Sequence, residues 1–302
     1  MSSKDGRIDA RDWLLLSILS VLWGGSFFFN GVALREFPPL TLVFLRVALA
    51  ALMLLPLLRV YRIDFPRGFD GWKPYAAVAL FNNVLPFSLI VTGQTFVSSG
   101  LASILNATTP LFTIVVMAIA GEERLFARRV AGVIAGLIGV IILRGGFSGT
   151  AHQGIGILLC LAAALSYGVA ALLARRKLAG SPPLASAAFQ LLSSSVMMSV
   201  IAAIVDRPWT LPMPGMTTWL AVAGLAALST ALAYLVFFQI LRRSGATNVM
   251  LVTLLIPVTA ILLGSLVLRE AISARDIAGA AVIGSALLII DGRMLKLFRR
   301  LA

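Results

Sequence analysis

Long stretches of this sequence carry no charge, and that feature limits the fold more than any other. No Asp, Glu, Lys, Arg or His occurs from Tyr75 to Gly121, from Pro208 to Leu241 or from Ser244 to Leu268. A bilayer core of roughly 30 Å is crossed by about 20 apolar helical residues. Each run is long enough to cross once, and the first is long enough to cross twice. A soluble core helix needs a polar face, which most of these segments lack. Only 12% of the 302 residues are charged, and those sit in short clusters between the runs. The sequence therefore predicts an all-α integral membrane protein.

The excess of 25 Lys and Arg over 12 Asp and Glu does not point to nucleic acid. No basic domain lies outside the apolar runs, so the charge belongs to membrane-flanking loops. One cysteine, Cys160, excludes an internal disulfide. With His152 as the one histidine, no His/Cys metal site can be assembled, and no cofactor is expected. The first apolar run, Trp13 to Leu34, is too long for the apolar core of a secretory signal and reads as a first span.

Ten spans are expected, at 12–34, 39–59, 74–94, 97–120, 125–144, 153–175, 184–205, 217–241, 245–268 and 275–293. The fifth and tenth have uncharged centres of only 14 residues, Val130 to Leu143 and Ile277 to Ile290. Flanking Arg128, Arg129, Arg144 and Arg275 can snorkel and lengthen them. With the N-terminus in the cytoplasm, 19 Lys and Arg fall on the inner side, from Lys4, Arg7 and Arg11 to Arg293, Lys296, Arg299 and Arg300. Five, namely Arg35, Arg144, Arg207, Arg269 and Arg275, fall outside. That bias predicts both termini inside and an even number of spans.

The chain also repeats itself. Trp23-Gly24 and Pro38-Pro39 recur as Tyr167-Gly168 and Pro182-Pro183, 144 residues on. Gln94 and Ser99-Gly100 recur as Gln239 and Ser244-Gly245, at 145. Pro110, Glu123, Arg128 and Gly132 recur as Pro257, Glu270, Arg275 and Gly279, at 147. The order is kept and the offset drifts by three. Two halves are expected, 12–144 and 153–293, each of five spans. An odd number of spans per half forces the second half to enter with the opposite orientation, the inverted-repeat plan of many transporters.

These motifs resemble the drug/metabolite transporter superfamily, in its ten-helix branch of two EamA-type domains. The resemblance covers nearly the whole chain. It is carried by Leu22-Trp23-Gly24-Gly25-Ser26-Phe27, by Pro38-Pro39 with Phe44-Leu45-Arg46, and by Gly100-Leu101-Ala102-Ser103 with Pro110 and Gly121-Glu122-Glu123-Arg124. The second half repeats it as Gly245-Ala246, Pro257 and Arg269-Glu270. The resemblance implies transport of small metabolites, often export of amino acids. It also implies a central cavity lined mainly by spans one, three, four, six, eight and nine.

Candidate binding residues follow from polar positions within the spans. Ser99, Ser103, Asn106, Pro110 and Thr113 recur at helical spacing on one face of the fourth span. Pro110 frees the carbonyl of Asn106, which must find a partner or line a wet cavity. The stripe reads as a substrate wall or as helix-packing glue. Pro257, Thr253 and Asn248 are its weaker mirror in the ninth span. In the third span stand Asn82, Asn83 and Pro86, and at least one amide must face the interior. Trp23, Ser26, Tyr167 and Tyr234 lie well inside their spans, where aromatic rings and their N–H or O–H groups suit a flat substrate. Arg46 is the one cation within a span, and either snorkels outward or pairs with a carbonyl or an anionic substrate group. Glu122-Glu123 read as charge compensation at the start of the fifth span. The small-residue faces of Gly132, Gly136 and Gly139 and of Gly279 suit close packing, within a monomer or at a homodimer interface.

No carboxylate sits at mid-span, which weakens proton coupling through a buried acid and argues against a multidrug exporter of hydrophobic cations. An intramembrane enzyme lacks support: there is no His-Glu-x-x-His helix, no paired mid-span Asp and no Ser/His couple. The expectation is a small-molecule transporter in the lipid bilayer of the bacterial cytoplasmic (inner) membrane. Its expected cargo is amino acids, aromatic or otherwise neutral, moved by alternating access between the halves.

Overall fold

The computed structural model describes residues 10–123, 126–144, 150–249 and 251–291. Among them run ten helices: α1 (Ala10–Ala33), α2 (Pro39–Val60), α3 (Gly68–Gly93), α4 (Ser99–Ile119), α5 (Ala127–Arg144), α6 (Ala151–Lys177), α7 (Pro183–Val205), α8, α9 (Val252–Leu266) and α10 (Ala274–Asp291). Helix α8 is built of Met216–Ala226, Ala227–Leu232 and Ala233–Val249. Seven of the ten are long and apolar enough to cross a membrane outright. Helices α5 and α10 have 18 residues each, about 27 Å at 1.5 Å per residue, once their flanking arginines are included. Helix α7 exposes Val196, Val200 and Ile204 along one side, at 68%, 55% and 70%. Such an apolar stripe suits lipid tails and not water.

Prolines set several starts. Pro39 and Pro183 occupy the first helical positions of α2 and α7, where the missing N–H is not needed. Pro110 stands second in a helix that starts inside the fourth span. That span is two helices, Ser99–Asn106 and Thr109–Ile119, separated by a turn at Ala107 and Thr108. The span is therefore broken at Pro110. The Asn106 carbonyl accepts from Thr109 Oγ at 2.7 Å, and that of Leu105 from Thr108 Oγ at 2.6 Å. Two hydroxyls replace the lost helical donors. The boundary near the ninth span also differs from expectation. Arg242 to Val249 contains no proline, and α8 runs on to Val249, so α9 starts at Val252. Helix α3 starts earlier than expected, at Gly68.

Neighbour relations exchange when the halves are exchanged. Helix α1 packs on α9 as α6 packs on α4. Helix α3 packs on α6 and α7 as α8 packs on α1 and α2. Helices α2 and α7, α4 and α9, and α5 and α10 pair with their own counterparts. Local details repeat too. Both α3 and α8 contain a π-turn, at Leu80–Val84 and Ala227–Leu232. Both α2 and α7 are followed by an arginine in left-handed backbone, Arg62 (φ 52°) and Arg207 (φ 49°). Gly24 of α1 meets Ile256 and Thr259 of α9, while Gly168 of α6 meets Phe112 and Thr113 of α4.

The glycine faces of α5 and α10 pack on each other within the chain. A Cβ on Gly139 would lie 2.7 Å from Ile283 Cγ1 and 3.1 Å from the Gly279 carbonyl, and one on Gly279 would strike Leu143. These faces are consumed inside one protomer.

Candidate functional site

The two adjacent amides of α3 are the centre of the site, and the π-turn explains them. In an α-helix, residues 82 and 83 point about 100° apart. The turn at Leu80–Val84 inserts an extra residue and lets both side chains engage the interior. Asn82 Nδ2 donates to Gln190 Oε1 of α7 at 3.1 Å and to the Tyr234 hydroxyl of α8 at 3.3 Å. Tyr234 in turn donates to Asn83 Oδ1 at 3.1 Å. Asn83 Nδ2 donates to Ser194 Oγ at 3.0 Å, and the Ser194 hydroxyl donates to the Gln190 backbone carbonyl at 2.7 Å. Asn83 and Ser194 are fully buried. Buried amides are tolerated because this network satisfies them.

Arg46 adjoins the network. It does not snorkel: it is 6% exposed, and Nε donates to Thr230 Oγ at 3.0 Å. Thr230 lies in the second π-turn and donates to the carbonyl of Leu225, five residues back, at 2.8 Å. The guanidinium lies 3.7 Å from the centroid of the Phe87 ring, a cation–π contact. Tyr167 of α6 and Tyr234 of α8 lie within its electrostatic reach. Inward contacts hold the side chain at mid-span, where the Thr230 hydroxyl and the Phe87 face replace part of its hydration.

An aromatic ladder runs from the network along α8 towards α1. The Tyr234 ring stacks on Phe238 at 6.0 Å, Phe238 meets Phe237 at 5.2 Å, and Phe237 meets Trp23 at 5.5 Å. Trp23 is partly buried. Ser26 is buried and donates to the Trp23 carbonyl at 2.7 Å, so its hydroxyl is spent on its own helix.

The fourth-span stripe is divided. Ser99 donates to the Phe27 carbonyl at 3.1 Å, Ser103 to Gly100 at 2.6 Å and Thr113 to Thr109 at 2.9 Å. Ser103 has no exposed surface, and its hydrogen bond serves helix packing. Asn106 differs, since its Oδ1 is buried with no partner among the described residues. Pro86 lies in α3 just beyond the π-turn, and Pro257 lies inside α9. Thr253 is partly buried in α9. The side chain of Asn248 lies outside the described residues, as do Lys4, Arg7, Arg124, Arg293, Lys296, Arg299 and Arg300 of the charge tally.

The structure thus joins Asn82, Asn83 and Tyr234 directly, with Tyr167 beside Arg46 and Trp23 at the far end of the ladder. Sequence reasoning missed Gln190, Ser194 and Thr230, which put α2 and α7 at the site beside α3, α6 and α8. A polar Gln within the apolar seventh span was the available signal. A separate cleft of about 570 Å³ lies between the turns at Phe96–Ser98, Thr150–Gln153 and Ala271–Asp276. It is at the helix ends and shares no residue with the buried network.

Carboxylates at the end of the bundle away from Ala10 and Asp291 join the halves. Asp206 accepts from Thr41 N at 2.6 Å, at the start of α2. Glu270 accepts from Ser99 N at 3.0 Å and Gly100 N at 3.4 Å, at the start of α4. Glu36 accepts from Gly215 N at 2.9 Å, before α8. Hydrogen bonds from Thr218 and Gly215 hold the Glu36 carboxyl below its ordinary pKa. At the other end, Glu122 accepts from Arg176 Nε at 2.8 Å, and Glu123 from Arg129 at 2.6 Å. Arg243 Nε donates to Asp12 at 3.1 Å. The hydrogen bond from Arg176 holds the Glu122 carboxyl below its usual value. Glu122 therefore bridges to α6, while Glu123 pairs with Arg129 in the first turn of α5.

The comparisons with known proteins agree with this architecture. The EamA-like transporter family model matches twice, over residues 12–145 and 154–290. The transporter YoaV of Bacillus subtilis is 27% identical, over 89% of this chain and 94% of its own. Proteins named probable amino-acid metabolite efflux pump, from Salmonella typhimurium and Escherichia coli, are each 27% identical, over 96% of this chain and 95% of their own. A crystal structure of a protein 21% identical superposes with a TM-score of 0.65, covering 95% of this chain and 97% of that one. This chain is a multi-pass membrane transporter that belongs to the EamA-like transporter family.

Proposed function

We propose that this transporter exports amino acids, aromatic or otherwise neutral, across the bacterial cytoplasmic membrane, with both termini in the cytoplasm. The observation that carries the reading is the buried network of Asn82, Asn83, Gln190, Ser194 and Tyr234, with its aromatic ladder to Trp23. It offers hydrogen bonds and ring faces where helices of both halves meet, and it contains no carboxylate that would select a hydrophobic cation. Names of the two efflux-pump relatives support the same substrate class. The five-helix units 12–144 and 153–293 act as the moving halves. Each packs on the other through equivalent surfaces, so a closed end in one state has an equivalent closed end in the other. The test is counterflow in proteoliposomes loaded with unlabelled amino acids. Labelled phenylalanine or another neutral amino acid should accumulate transiently. A panel of neutral amino acids that leaves every label outside would refute the substrate class.

A further inference from the structure

Arg46 is a buried cation that its surroundings do not neutralise. One of its five N–H donors is used, by Nε to Thr230, and Phe87 covers one face. The four donors on its terminal nitrogens meet no acceptor among the described residues. The ionisable groups facing it are the hydroxyls of Tyr167 on α6 and Tyr234 on α8. Carboxylates of the described residues sit at turns or helix ends. A guanidinium is charged at any pH the protein meets, and its terminal nitrogens, which lack a protein acceptor, are not among the enclosed unpartnered atoms of the described residues, so they keep surface that a ligand can reach. Tyr167 and the adjoining amide network add further donors. The Tyr167 hydroxyl and Gln190 Nε2 have no hydrogen-bond acceptor among the described residues.

We propose that Arg46 anchors the carboxylate of the transported molecule, that this carboxylate is required, and that an ammonium group on the same molecule is dispensable. The planar fork of terminal N–H groups matches the two oxygens of a carboxylate. The ladder from Tyr234 to Trp23 takes an apolar or aromatic body. An ammonium finds only neutral amide oxygens, hydroxyls and ring faces in this site, so its contribution is small. The substrate class widens from neutral amino acids to small aromatic and apolar monocarboxylates. This rests on the transport reading above.

Binding and flux separate the two claims. Thermal unfolding of the purified detergent-solubilised protein is followed with 3-phenylpropionate, phenylalanine and phenethylamine. The first two should raise the midpoint and the amine should not. Arg46→Gln should weaken carboxylate binding about a hundredfold, on the order of 3 kcal/mol, with the unliganded midpoint unchanged or higher because a buried charge has gone. Arg46→Lys should keep part of the response, and serves if the Gln variant does not fold. Stabilisation by phenethylamine equal to that by phenylalanine, or an unchanged response in both variants, overturns the proposal. In proteoliposomes, 3-phenylpropionate should compete with labelled phenylalanine and phenethylamine should not. Carboxylate binding without flux of any probe leaves the Arg46 site standing and removes the transport reading on which its role rests. Flux of phenylalanine with equal competition by the amine does the reverse.

Discussion

Tyr234 shows how one hydroxyl can hold a site together. It receives from Asn82 and donates to Asn83 Oδ1, linking two residues of a π-turn through a neighbouring helix. Tyr234→Phe keeps the ring stacked on Phe238 and removes the donor. Asn83 has no exposed surface, so its Oδ1 loses its best partner without gaining water. The expected cost is about 1–3 kcal/mol, read as a lower unfolding midpoint, together with reduced flux of the transported substrate. An unchanged midpoint and unchanged flux would mean that the network neither stabilises nor binds. The sequence located these residues without pairing them. Tyr234 and the two asparagines stood out as polar groups in apolar runs, but hydrogen bonds spanning 108 to 152 residues of separation leave no local trace. Arg46 was legible as a cation within a span. Its inward choice was not, because that depends on Thr230 being turned by a second π-turn.

At the scale of helices, proline and glycine told more than hydropathy did. Pro110 marked the break in α4, and Trp23-Gly24 with Tyr167-Gly168 marked matching contacts in the two halves. Neither π-turn was foreseen, because an inserted helical residue has no composition of its own. The glycine contacts can be tested. A Cβ on Gly24 would lie 2.6 Å from Thr259 Cβ and 2.9 Å from the Ile256 carbonyl, against 3.2 Å from Phe112 C and Thr113 N for Gly168. Gly24→Ala should therefore destabilise by about 1–3 kcal/mol through overpacking, and Gly168→Ala by less. Equal, negligible shifts in the unfolding midpoint would contradict the close approach of α1 to α9. The Glu122 bridge from the α4–α5 turn to α6 makes a pH-dependent prediction. Its folded pKa lies below the ordinary 4.5, chiefly through Arg176. Its contribution is complete above that ordinary value and is lost as pH falls through the lower folded value. The midpoint of wild type over Glu122→Gln should be raised at pH 7, and the difference should shrink on acidification below 4.5. A difference that grew on acidification would refute the bridge.

For the whole molecule, the exchange of halves unites the fold with the site. Helices α2, α3, α6, α7 and α8 reach the polar network from both halves, and equivalent contacts surround it on each side. The repeat was readable because Pro, Gln and Glu are sparse in an apolar chain, so a fixed offset among them stands out. The resemblance placed the cavity among α1, α3, α4, α6, α8 and α9. The network shares α3, α6 and α8 with that set and adds α2 and α7, whose polar residues face the π-turns of α3 and α8. The central claim is that the halves are inverted. Glu123 and its counterpart Glu270 must then lie on opposite sides of the membrane. The direct measurement uses Cys160→Ser as background, with Glu123→Cys or Glu270→Cys added singly, and a membrane-impermeant maleimide applied to intact cells. Inversion predicts labelling of the cysteine at 270 in intact cells and of that at 123 only after permeabilisation. Labelling of both from the same side would contradict the account.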